Sequence, residues 1–139
     1  MSTRERAPPI IPERVRSIRS ESFAFIPHRF LRGGFLSSLT HEERSLYLFL
    51  ILAADRDGIS FYRYDSICSI LEVTLEVYIQ ARNGLVEKDL IAFDGRRFQV
   101  LSLPDRPRTR QSRGLTPEEM ETLDPASIRA QLLRHLEDE

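Results

Sequence analysis

Apolar residues recur with helical spacing in the middle of this chain. The first such stretch predicts a helix over about His41 to Asp55, because Thr40 and Glu43 form a capping box and the second half is almost continuously apolar. A helix that is apolar all round belongs at the centre of a core or of a dimer. The Asp57-Gly58 pair marks its end.

A short strand and two further helices follow. The β-branched and aromatic residues Ile59 to Phe61 predict the strand. Helical spacing predicts one helix from about Arg63 to Leu71 and another from about Leu75 to Lys88. The turn Glu72 to Thr74 separates them, and Thr74 can cap the second helix.

The helix from Leu75 to Lys88 has an apolar side and a polar side. Its spacing turns Val77 or Tyr78, Ala81 and Leu85 inward. The candidates for its outward side are Glu76, Ile79, Gln80, Arg82 and Asn83.

A β-hairpin follows this helix. Ile91 to Phe93 predict one strand, Asp94-Gly95 is a strong two-residue turn signal, and Arg96 to Leu103 predict the return strand.

The predicted register gives the hairpin an apolar base and a cationic tip. It places Phe93 opposite Arg96 and Ile91 opposite Phe98. Arg96 and Arg97 then lie just past the turn.

Less regular segments flank this region. Residues 1–22 predict a basic arm that is extended or only locally ordered. Residues 23–103 form the predicted domain, beginning with a segment whose aromatic residues we expect to pack on the first helix: Phe23, Phe25, Phe30 and Phe35. Residues 104–114 are an Arg- and Pro-rich linker.

Residues 115–139 predict an acidic helical tail. Thr116, Pro117 and Glu119 give a second capping box, and Asp124-Pro125 begins a final helix. This helix carries an apolar stripe of Ile128, Leu132, Leu133 and Leu136. The stripe either dimerises with a second copy or folds back on its own chain, and the hypothesis of a homodimer follows from the first alternative.

Charges are segregated along the chain, although the formal net charge is only −1. Residues 1–34 carry seven arginines against three glutamates, and residues 96–113 carry six arginines against one aspartate. Residues 35–95 have ten acids against five bases, and residues 115–139 have seven acids against two arginines. Basic arms therefore adjoin an acidic body and an acidic tail.

The residues give little indication of catalysis. There is no phosphate-binding loop and no metal-binding spacing of His or Cys, and "DRDG" with Asp65 ends a helix more readily than it binds a hard cation. We therefore predict no enzyme activity, cofactor, metal or small-molecule ligand. The lone Cys68 and the absence of a long apolar run predict a cytoplasmic protein without a membrane partner.

The stretch from Leu39 to Leu103 resembles the winged helix-turn-helix domain of bacterial transcriptional regulators and of plasmid or phage replication initiators. "DRDG" closes the first helix, and "GLVEKDLIAF" leads from the last helix into the hairpin, or wing. Asp89 stands where this pattern has glycine. Glu76 begins the helix that the resemblance places in the major groove, where phosphates repel a carboxylate unless it accepts from a cytosine amino group.

The resemblance implies a mainly α fold with a small β-hairpin, here a winged helix-turn-helix with a basic N-terminal arm and a C-terminal helical segment. It implies double-stranded DNA as the partner and a role as a transcriptional regulator or as an accessory factor of a plasmid, phage or transposon. Winged helices also serve as protein-interaction modules, which is the alternative.

The candidate DNA-contacting residues divide into two groups. Gln80, Arg82 and Asn83 have side chains that match base edges in the major groove, with Ile79 beside them. Arg96 and Arg97 of the wing, with Arg63, would contact phosphates. The linker arginines Arg106, Arg108, Arg110 and Arg113 either track phosphates or belong to a polar spacer.

Overall fold

The computed structural model describes residues 6–18, 22–108 and 124–137. These residues form five α-helices: α1 (Arg29–Arg32), α2 (His41–Ala53), α3 (Tyr64–Leu71), α4 (Leu75–Glu87) and α5 (Pro125–Glu137). They also form three strands, β1 (Ile59–Ser60), β2 (Ile91–Phe93) and β3 (Phe98–Val100), and 3-10 turns at Pro12–Arg14 and Leu36–Ser38. The prediction of a mainly α fold with a little β structure is confirmed.

A capping box starts α2, as predicted. The Thr40 hydroxyl accepts from the Glu43 N–H at 3.1 Å, and the Glu43 carboxylate accepts from the Thr40 N–H at 2.9 Å. The same carboxylate pairs with the Lys88 ammonium at 2.5 Å. Because Lys88 caps the end of α4, this pair ties the start of α2 to the end of α4.

Only one side of α2 is buried. Leu46 and Leu50 pack in the core, whereas Leu48 and Leu52 are exposed. Helix α2 is therefore not buried on all sides within this chain, where its described neighbours are α4, β1 and β3. The alternative that it is central to a dimer remains a prediction.

The core joins α2, α4 and the sheet with the segment before α2. Phe30 of this segment stacks on Tyr47 at 5.0 Å and on Phe35 at 6.2 Å between ring centroids. Phe23 and Phe25 are exposed, so the prediction that all four phenylalanines of the segment pack on the body holds for two of them.

Helices α3 and α4 follow local signals. The Thr74 hydroxyl accepts from the Val77 N–H at 3.2 Å and caps α4, as predicted. Ile67 of α3 is buried, whereas Ile70 is exposed.

Helix α4 ends in a left-handed residue, Asp89, with φ 62°. The Asp89 N–H donates to the Val86 carbonyl and the Leu90 N–H to the Leu85 carbonyl, both at 3.1 Å. These two bonds are the Schellman pattern that usually has glycine at this position. Asp89 adopts the backbone conformation of that glycine.

Strand β3 pairs with both β1 and β2, giving an antiparallel sheet in the order β1-β3-β2. Phe93 pairs with Phe98 and Ile91 with Val100. The predicted register, with Phe93 opposite Arg96 and Ile91 opposite Phe98, is wrong by two residues.

The hairpin turn explains the different register. The Asp94 N–H donates to the Arg97 carbonyl at 3.2 Å, so the turn is centred on Gly95 and Arg96 and not on Asp94 and Gly95. Gly95 takes φ 93°, which few other residues adopt. Phe93 and Phe98 can therefore stack, with their centroids 4.4 Å apart.

Helix α5 packs against α4 of its own chain. It begins at Pro125, as predicted. The predicted capping box at Thr116 to Glu119 lies outside the described residues. No helix in the described part of the chain is long and apolar enough to cross a membrane.

The burial pattern of α2 gives a matched pair of stability predictions. Leu50 has no exposed area, whereas Leu52 keeps 67% of its area exposed. Leu50→Ala should reduce the free energy of unfolding by about 2–5 kcal/mol, and Leu52→Ala should change it by less than about 0.5 kcal/mol. Urea denaturation followed by circular dichroism measures both values. Equal losses of unfolding free energy in the two variants would contradict the burial of Leu50 and the exposure of Leu52 in this structure.

Candidate nucleic-acid interface

The predicted site residues lie around α4 and the tip of the β2–β3 hairpin. A groove of about 510 Å³ separates the hairpin from α3 and α4. Arg63, at the start of α3, and Arg96, at the hairpin tip, both line it. Its other lining residues are mainly aromatic: Phe61, Tyr62, Tyr64, Tyr78, Phe93 and Phe98.

The Asp94 carboxylate arranges the hairpin tip. It accepts from the N–H groups of Arg96 at 3.0 Å and Arg97 at 2.6 Å, and from the Arg97 guanidinium at 2.9 Å. Desolvation tends to raise the pKa of Asp94, but these donors together hold it below its usual value. The charge of Arg97 is thus partly balanced within the tip.

Two arginines at the groove remain available to an anion. The Arg96 guanidinium lies 5.9 Å from the centroid of the Phe61 ring and makes no ion pair with any described residue. Arg63 lies 3.7 Å from Asp65, and both side chains are largely exposed. An exposed pair of that length contributes little energy, so Arg63 can exchange its partner.

The open side of α4 is polar but acidic. Gln80 is exposed, as predicted, and so are Glu76 and Glu87. Asn83 is half-buried, and Ile79 is half-buried against the core. The residues of α4 that remain open to a partner therefore include two carboxylates and no cation.

The predicted outward position of Arg82 is wrong, because its side chain has no exposed area. Its guanidinium pairs with the Asp124 carboxylate at 2.5 Å and donates to the Ser127 hydroxyl at 3.2 Å. It also lies 5.0 Å from the Phe93 ring centroid and 5.4 Å from that of Tyr78. Two aromatic faces and a carboxylate thus compensate the buried charge.

The helical spacing of α4 indicates that the Arg82 side chain is buried. Arg82 follows Tyr78 by one turn and precedes Leu85 by another, so it continues the inward side of α4. Burial raises the pKa of the Tyr78 phenol above its ordinary value, although the Arg82 charge opposes that shift. Asp124, the partner of Arg82, is 42 residues away along the chain and had no local signal.

Helix α5 runs antiparallel to α4 along the side that Arg82 faces. Asp124, just before α5, holds Arg82, and Arg134 near the other end lies 3.8 Å from Glu76 at the start of α4. The buried residues of α5 are small: Ala126, Ser127 and Ala130. The predicted apolar stripe of α5, including Leu132, is exposed, and the homodimer remains a prediction.

The start of the predicted linker contacts the folded body. The Arg29 guanidinium donates to the carbonyl of Pro104 at 2.6 Å, and Arg108 lies 3.3 Å from the Asp89 carboxylate. Arg106 is exposed. Arg110 and Arg113 lie outside the described residues.

The "DRDG" stretch forms a turn after α2. The Asp55 carboxylate accepts from the N–H groups of Asp57 at 2.8 Å and Ile59 at 3.0 Å. A side chain at Gly58 would lie 2.6 Å from the Val100 carbonyl oxygen, so the close contact with β3 requires glycine. No group of three His, Cys, Asp or Glu side chains that could hold a metal occurs in residues 6–18, 22–108 and 124–137.

Comparisons with models of known protein families, with curated proteins and with solved structures gave no match to this chain.

The burial of Arg82 gives a prediction with a control on the same helix. Arg82→Leu leaves the Asp124 carboxylate without its partner and should cost up to about 3–5 kcal/mol of unfolding free energy. Gln80→Leu changes an exposed side chain and should cost less than about 0.5 kcal/mol. Chemical denaturation of both full-length variants measures the difference. If Arg82→Leu is as stable as Gln80→Leu, the buried pair does not form in solution.

Proposed function

We propose that this chain is a DNA-binding protein with a winged helix-turn-helix fold. The observation that carries the proposal is the arrangement of elements: α2, β1, α3, α4 and then a hairpin, with β1 added to the hairpin sheet. In such a fold the second helix of the α3–α4 pair enters the major groove and the hairpin contacts the adjacent backbone. The cationic hairpin tip beside α4 supports this assignment.

Phosphate contacts come from the groove side of the interface. Arg96 is free of ion pairs with the described residues, and Arg63 lines the same groove. Arg97 adds a partly balanced charge at the tip. These residues provide attraction that does not depend on base sequence.

Base contacts come from Gln80 and Asn83, whose amides match the edge of adenine. Gln80 is exposed, and the Asn83 carbonyl oxygen accepts from Arg82 at 3.3 Å, which fixes the direction of its amide. With Ile79 alongside, they form the part of α4 that would face the bases. A protein of this kind acts as a transcriptional regulator or as an accessory factor of a plasmid, phage or transposon.

The second candidate function is a winged-helix module that binds another protein. The exposed carboxylates Glu76 and Glu87 on the open side of α4 favour it, because they repel phosphates. A basic protein surface would satisfy both.

Replacement of the tip arginines separates the two functions. Arg96→Ala with Arg97→Ala should weaken binding to all duplexes similarly and flatten the slope of log affinity against log salt by up to roughly 2, because each phosphate contact contributes about 0.9. Fluorescence anisotropy with a labelled random duplex over a salt series measures this slope.

Two control variants accompany the tip variant. Arg56→Ala removes an exposed arginine near the base of the sheet, where Gly58 pairs with Val100, and should leave the slope unchanged. Gln80→Ala should change the preferred sequence and not the slope. If the tip variant binds like the parent at every salt concentration, the hairpin does not contact DNA and the protein-binding function is favoured.

A further inference from the structure

We propose that α5 is an intramolecular competitor for DNA, which must leave α4 before a duplex can bind. The inference rests on the proposed function, since it concerns regulation of the same surface. Its three supports are the position of α5, the composition of its interface with α4 and the Asp124 carboxylate that precedes it.

Helix α5 adjoins the interface at both ends. Asp124 and Pro125 line the groove that also contains Arg63 and Arg96. At the far end, Arg134 reaches Glu76 in the first turn of α4. A helix with its side chains is about 10–12 Å across. A duplex therefore cannot reach this flank of α4 while α5 occupies it.

The composition of the α4–α5 interface suits reversible docking. The side of α5 that faces α4 buries Ala126, Ser127 and Ala130, which offer little apolar area. The larger residues Leu132 and Leu136 point away and are exposed. Docking thus depends largely on polar contacts: those of Arg82 with Asp124 and Ser127, and that of Arg134 with Glu76.

The carboxylate at the start of α5 makes this helix a competitor for DNA. The Asp124 carboxylate gives Arg82 the charge-assisted contact that a phosphate gives to an arginine. While Asp124 holds Arg82 in this pair, the Arg82 guanidinium cannot contact a phosphate. Docked α5 and the duplex would therefore compete.

Two variants with the same added charge on α5 test the competition. Ala130 is 4% exposed at the interface, whereas Leu132 is 60% exposed on the outer side. Ala130→Arg should displace α5 and raise hydrogen exchange of the amides in residues 125–137, and Leu132→Arg should leave that exchange unchanged. Ala130→Arg should also bind a labelled random duplex at low salt roughly fivefold or more tightly than Leu132→Arg, within the usual range of coupling between sites.

The results separate the two proposals. If Ala130→Arg releases α5 but binds duplex no better than Leu132→Arg, the competition is overturned and the proposed function stands. If neither variant nor the parent binds duplex, the proposed function fails, and the competition fails with it. Tight binding by Ala130→Arg alone would support both.

A measurement without substitutions covers the case in which Ala130→Arg fails to fold. Because coupling is reciprocal, saturating duplex should itself release α5 in the parent protein. Hydrogen exchange of residues 125–137 should then rise when the random duplex is added at low salt. Unchanged or slower exchange in the bound protein would overturn the competition.

Discussion

A buried arginine is the constraint around which the described structure is organised. Removal of the Arg82 guanidinium from water is costly unless other groups compensate its charge. The compensation comes from three parts of the chain: Tyr78 on its own helix, Phe93 on the sheet and Asp124 before α5. Arg82 therefore joins α4 to the hairpin and to the C-terminal helix. The orientation of these three elements decides which surface is open to a partner.

Local signals in the sequence predicted the elements well. The Thr40–Glu43 capping box, the Thr74 cap and the start of α5 at Pro125 depend on residues a few positions apart, and all three are present. The hairpin was also predicted, but its turn is one residue later because the Asp94 carboxylate binds the N–H groups of Arg96 and Arg97. Side-chain bonds of this kind compete with the turn that a dipeptide favours.

Predictions that needed knowledge of distant partners were less successful. Leu48, Leu52 and Ile70 are apolar residues of predicted helices, but the sequence does not show whether another element covers them. All three are exposed. The outward prediction for Arg82 failed for a related reason. Its polarity suggested solvent, whereas its position one turn from Tyr78 and Leu85 indicated the core. Its carboxylate partner lies 42 residues away and belongs to a different predicted segment.

The distribution of charge connects these structural features to the proposed function. Arginines at the hairpin tip and the start of α3 face one groove, and Asp124, just before α5, lines the same groove. The near-neutral net charge thus results from basic and acidic stretches of the chain that offset each other, and not from an even mixture of charges along the sequence. Arginines beside a carboxylate of the same chain are what the proposed competition between α5 and a duplex requires.

Chemical-shift mapping of the full-length, isotope-labelled protein with a random DNA duplex at low salt tests the central claim most directly. The account predicts that duplex perturbs the amides of residues 94–97 at the hairpin tip and of residues 76–83 on α4. The amides of residues 125–137 should move towards the positions of an undocked helix. No perturbation at a saturating duplex concentration, or perturbation confined to the opposite surface around Phe23 and Phe25, would contradict the account.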